Sequence, residues 1–76
     1  MSKYIYAYTV YAYTNRTPQK LIPCGCSFDS TGARNVIEST MANGFKIGKI
    51  EVQQFYADRP LDWKNAINSK TLFFPN

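Results

Sequence analysis

Residues 4–13 read Tyr-Ile-Tyr-Ala-Tyr-Thr-Val-Tyr-Ala-Tyr, a segment dominated by Tyr, Ile, Thr and Val near the start of a 76-residue chain. Aromatic and β-branched side chains suit a pleated, half-buried surface. Successive side chains on a strand point to opposite sides, so the run has two faces. Ile5, Ala7, Thr9, Tyr11 and Tyr13 share one, and Tyr4, Tyr6, Tyr8, Val10 and Ala12 share the other. Any fold built on this strand must cover at least one of these faces to gain a core.

The rest of the chain supplies the cover. The first strand is expected over Lys3 to Thr14, with Asn15-Arg16-Thr17-Pro18 as a turn. Gln19 to Ser27 then returns as the second strand of a hairpin, at an edge or with a bulge, because Pro23 has no N–H to donate. Asp29 or Ser30 can cap a helix, and Phe28 is placed to staple its start. Ala33, Val36, Ile37, Thr40 and Met41 recur at the spacing of one helical face, and Asn43-Gly44 ends the helix. Lys46 to Tyr56 predicts a third strand, with Ile50 and Val52 on one side and Lys49, Glu51 and Gln53 on the other. Asp58-Arg59-Pro60 breaks it. Asp62 caps a short helix expected to run through about Asn68, with Trp63, Ala66 and Ile67 as its apolar positions, and Lys70 to Phe74 reads as a last strand. The order β-β-α-β-short α-β predicts one α+β domain over residues 1–76, an antiparallel sheet of three to four strands with one main helix on one face.

Several kinds of chemistry are excluded by residue type. The chain has no His, so no Ser-His-Asp or Cys-His pair can form. Its two Cys cannot complete a four-thiolate zinc site within one chain. Neither a P-loop nor a GxGxxG motif occurs. The expectation is a protein that is not an enzyme, with no catalytic residue, metal or cofactor. Cys24-Gly25-Cys26 is expected to place two small thiols beneath the helix, since a disulfide across one residue would be strained. No apolar run approaches the ~18 residues of a membrane span. The Tyr and Thr interleaved in the first strand break up the apolar block that a secretion signal needs. A cytoplasmic protein is the expectation.

The face assignment carries the functional reading. A sheet surface under a helix favours small and aliphatic side chains that let the two layers approach without voids. Ile5, Ala7, Thr9, Ile22, Cys24 and Cys26 fit that surface if a four-residue turn pairs Tyr11 with Ile22, Thr9 with Cys24 and Ala7 with Cys26, and sets Tyr8 opposite Gly25. Tyr4, Tyr6 and Tyr8 then lie on the open side with Lys49 and Gln53, and these five are the candidate binding residues. Tyr is enriched in protein interfaces. Aromatic rings also stack on bases at roughly 1–3 kcal/mol each. With nine Lys+Arg against five Asp+Glu the net charge is +4, which suits an acidic or phosphate-bearing partner. The leading expectation is a small binding protein that blocks or modulates a larger protein or nucleoprotein partner, with nucleic-acid-processing complexes among the candidates. Direct binding of single-stranded nucleic acid by Tyr stacking, and a structural homodimer, are the alternatives.

The Tyr-rich hairpin, the helix start Ser30-Thr31-Gly32-Ala33-Arg34 and the strand Gly48-Lys49-Ile50-Glu51-Val52 give an organisation that resembles small phage or mobile-element accessory proteins of the anti-CRISPR type. That resemblance implies a single domain that inhibits a large nucleoprotein machine by surface contact. It assigns no functional residue.

Overall fold

The computed structural model describes residues 3–73. It has four strands, β1 (Tyr4–Tyr13), β2 (Leu21–Ser27), β3 (Lys46–Tyr56) and β4 (Asn68–Phe73), one helix, α1 (Ser30–Ala42), and a single 3-10 turn at Trp63–Asn65. The strands form one antiparallel sheet in the order β2-β1-β3-β4. This is the α+β architecture expected from the sequence, except that the short helix expected through about Asn68 is a single 3-10 turn: the backbone is already extended at Ala66, β4 begins at Asn68, and Phe74 lies outside the described residues. β2 and β3 flank β1 and both run against it, so they are parallel to each other. Parallel strands cannot be joined by a tight turn, and α1 is the connection that crosses the sheet.

Both ends of α1 follow from local chemistry. Asp29 is extended, and its carboxylate accepts the Gly32 N–H, which meets one of the orphan donors of the first turn. At the other end Gly44 takes φ +87°, a left-handed value that glycine adopts without a Cβ penalty. There the Gly44 N–H reaches the Met41 carbonyl at 2.9 Å and the Phe45 N–H reaches Thr40 at 3.2 Å.

The core beneath the helix is Val10, Ala12, Ile47 and Ile50, with Tyr8, Val36, Ile37 and Val52 packed against it. Gly25 pairs with Val10 and lies under Val36, so close that a Cβ there would stand 2.9 Å from Val36 Cγ1. Small side chains do lie under the helix, as the packing rule requires. They are Val10, Ala12 and Gly25 rather than Ala7, Thr9 and the cysteines. β3 determines this outcome. Tyr8 pairs with Val52 and Val10 with Ile50, and directly paired residues share a face. Ile50 and Val52 turn to the helix as expected, and the Tyr4-Tyr6-Tyr8 side of β1 turns with them.

The other face has its own cover. Ala7 and Phe55 are buried there and share a pocket with Phe28, Leu61 and Trp63. The Trp63 ring meets Phe55 edge-on with centroids 5.9 Å apart. The connection through residues 57–67 thus covers one end of the face that the sequence reading gave to the helix.

The hairpin register also differs from expectation. Thr14 and Lys20 close a longer loop, with the Thr14 N–H donating to the Lys20 carbonyl at 2.8 Å and the Lys20 N–H donating to Thr14 Oγ1 at 3.0 Å. Tyr11 then pairs with Pro23, a bulge absorbs Cys24, and pairing resumes with Val10 to Gly25 and Thr9 to Cys26. Both cysteines are free and exposed, not packed under α1. Thr9 Oγ1 donates to Cys26 Sγ at 3.8 Å on the helix-free side.

Candidate binding surface

The helix is shorter than the strands it lies on. Thirteen residues of α1 rise about 20 Å at 1.5 Å each, whereas eleven residues of β3 extend about 36 Å at roughly 3.3 Å each. The helix therefore roofs the Tyr8-to-Ala12 part of the sheet. Tyr4 and Tyr6 continue beyond its N-terminus on the same side, opposite Tyr56 and Gln54. This protruding end is a ledge.

Its side chains are mutually arranged. The Tyr4 and Tyr56 rings lie 5.7 Å apart at a tilt of 33°. Tyr6 is 42% exposed, and its hydroxyl accepts from Gln54 Nε2 at 3.4 Å. Lys3 Nζ stands 6.0 Å from the Tyr4 ring centre, and the Arg59 guanidinium stands 4.8 Å from that of Tyr56. Arg59 also lies 3.9 Å from Asp58, but both are largely exposed, and such pairs are weak. The ledge thus offers phenol hydroxyls, an amide and two cations held near rings, a set suited to carboxylates or phosphates on a partner.

The five residues expected to form one patch are divided by the sheet. Tyr4 and Tyr6 are on the ledge. Tyr8 lies at its inner margin, half-buried against the core. Lys49 and Gln53 are on the reverse face, where Gln53 pairs with Ala7 and Ser69. Lys49 Nζ is 2.9 Å from Glu51 Oε1 and 4.6 Å from the Tyr11 ring centre, while the Tyr11 hydroxyl donates to Glu51 Oε2 at 3.3 Å. The Lys49 charge is thereby satisfied within its own cluster. Gln54, Tyr56, Lys3 and Arg59 were missed. Antiparallel pairing of β1 with β3, which the sequence reading did not attempt, is the signal that brings Tyr56 and Gln54 beside Tyr4 and Tyr6.

The reverse-face cluster has a pH signature. Burial, and then the Glu51 charge and hydrogen bond, push the Tyr11 phenol above its ordinary value of 10.0, against an opposing pull from Lys49. The folded state therefore favours the neutral phenol. The stability this supplies is complete below the ordinary value and is lost as pH rises through the folded one. Tyr11→Phe is expected to flatten the alkaline fall in stability and to remove a late component from the phenolate absorbance titration. Identical alkaline profiles for the two proteins would refute this coupling.

The sequence matches no protein-family model, no curated protein and no solved structure. No helix among the described residues is long and apolar enough to cross a membrane. Among the same residues, no group of three or more His, Cys, Asp or Glu side chains is placed to hold a metal ion.

Proposed function

We propose that this chain is a non-catalytic binding protein that holds a larger protein or nucleoprotein partner through the ledge of Tyr4, Tyr6, Gln54 and Tyr56, with Lys3 and Arg59 supplying the charge. The observation that carries this reading is the Tyr4–Tyr56 pair flanked by two cations beyond the end of α1. The Lys3 and Arg59 cations lie over the Tyr4 and Tyr56 rings, where a stacked base would have to sit, which favours an acidic protein surface over stacked bases. The net charge of +4 adds long-range attraction to such a surface. Blocking a nucleic-acid-processing complex, as the anti-CRISPR resemblance implies, requires area and fit rather than a reaction. We place the protein in the cytoplasm, where the exposed thiols of Cys24 and Cys26 stay reduced.

The test is affinity capture from host lysate with the parent chain, Tyr6→Ala and Arg59→Ala. Each variant is expected to weaken capture of the parent's partner about tenfold, roughly the effect of one good contact, with an unchanged melting transition because both side chains are exposed. Protein-partner binding should persist after nuclease treatment and across about 50 to 200 mM salt, a range over which phosphate-dominated binding falls steeply. Bound material that disappears with nuclease would replace this reading with direct nucleic-acid binding.

A further inference from the structure

The roof over the sheet is narrow as well as short. Four strands at ~4.8 Å spacing make a surface about two helix widths across, and α1 packs chiefly on β2, then β1, and least on β3. Beside it lies a groove of about 470 Å³ with Tyr8, Ala33, Ile37, Ile50 and Leu72 among its lining. Leu72 is 43% exposed, and Met41, one turn beyond Ile37 on the same helical stripe, is 59% exposed. Tyr8 belongs to this groove and Tyr6 to the ledge, which makes the two surfaces continuous.

We propose that this groove receives an acidic amphipathic helix of the partner protein, an inference that rests on the binding reading above and names the element that binds. Across the floor of the groove the main-chain groups of β1 and β3 are paired on both sides, and β4 keeps its open side along the outer border of the sheet, not across the floor. An extended segment laid there finds no partners for its own N–H and C=O groups. A helix arrives with its backbone satisfied and needs only an apolar stripe. Charge selects its flanks. Arg34 and Glu38 line the α1 side, and Lys70, two residues before Leu72 and paired with Val52, stands on the β4 side. Arg34 precedes Glu38 by four residues, the weaker order for a helical ion pair. The two are not among the ion pairs of the described residues, so Arg34 is available to a partner carboxylate. Two cations against one carboxylate favour an acidic visitor.

The experiment selects displayed helix-forming peptides of ~18 residues, five helical turns, on the intact chain. It then measures binding of the enriched peptides by fluorescence anisotropy. The expected winners carry apolar residues at i, i+3, i+4 and i+7 with Asp or Glu on the flanks. Their affinity is expected to fall about tenfold or more in Leu72→Glu and in Arg34→Glu. Both positions are exposed, and a retained melting transition excludes unfolding as the cause. Tyr6→Ala is expected to leave peptide binding intact while weakening capture of the host partner. Peptide binding that survives alongside a host capture indifferent to Tyr6→Ala would fault the ledge and spare the groove. Selection that enriches nothing, enriches extended or proline-rich sequences, or yields peptides indifferent to both Glu variants overturns the proposal. So does a dimer in sedimentation equilibrium that Leu72→Glu dissociates, since a second copy would then own the groove.

Discussion

Phe55→Ala is expected to remove a large share of the chain's stability and to shift its urea midpoint far down. Truncating a buried Phe costs about 3–5 kcal/mol, and a chain of 76 residues has a total stability of only about 4–11 kcal/mol at ordinary per-residue values. Phe55 is 3% exposed and lies on the side of the sheet away from α1, beside Ala7 and beneath the edge of Trp63. Its removal empties the second core and releases the connection through residues 57–67 that leads into β4. Urea denaturation followed by far-ultraviolet circular dichroism reads the effect. Trp63→Ala should cost clearly less, because Trp63 is 61% exposed. Equal midpoints for the parent and Phe55→Ala would mean that this face has no core of its own.

Gly25→Val is the second large effect, at about 1–3 kcal/mol from overpacking. The Cβ alone would stand 2.9 Å from Val36 Cγ1 and 3.3 Å from Val36 Cγ2. Val36 is β-branched and stiff in a helix, so it cannot swing aside. The helix must lift away from β2, and the contacts of Val36 and Ile37 with Val10 and Ile50 loosen together. Val36→Ala removes the obstructing methyl groups. A double-mutant cycle should therefore show Gly25→Val costing less in the Val36→Ala background, with the coupling expected of residues in contact. Additive effects would place the penalty in β2 itself.

Much of the fold was legible because local signals agreed with one another. The Asp29 cap, the Gly44 stop, the full extent of β3 and the edge position of the Pro23 strand all follow from residues whose backbone chemistry leaves few options. The surface was harder, because it depends on which strands are neighbours. Period two sorted the β1 side chains correctly into two sets. It carries no information about which set meets the helix, and Ala7 beside Ile5 looked as suitable as Ala12 beside Val10. The expected turn was too short and omitted the bulge at Cys24, so the cysteines were drawn under α1 instead of onto an exposed edge. The same omission of β1–β3 pairing put Lys49 and Gln53 beside the tyrosines, when Gln54 and Tyr56 are the true neighbours.

The position of β1 has one further consequence. Its ten residues, rich in aromatic and β-branched side chains and free of charge, are the kind of segment that seeds fibrils when exposed. Here the segment runs through the interior of the sheet, hydrogen-bonded to β2 on one flank and β3 on the other. The outer strands bear the features that discourage recruitment of further chains, with Pro23 and the Cys24 bulge on one border and Lys70 in the middle of the other. The polymerisation hazard written into the amino-terminal third is thus shielded by β2 and β3, while the borders of the sheet carry the residues that deter a further strand.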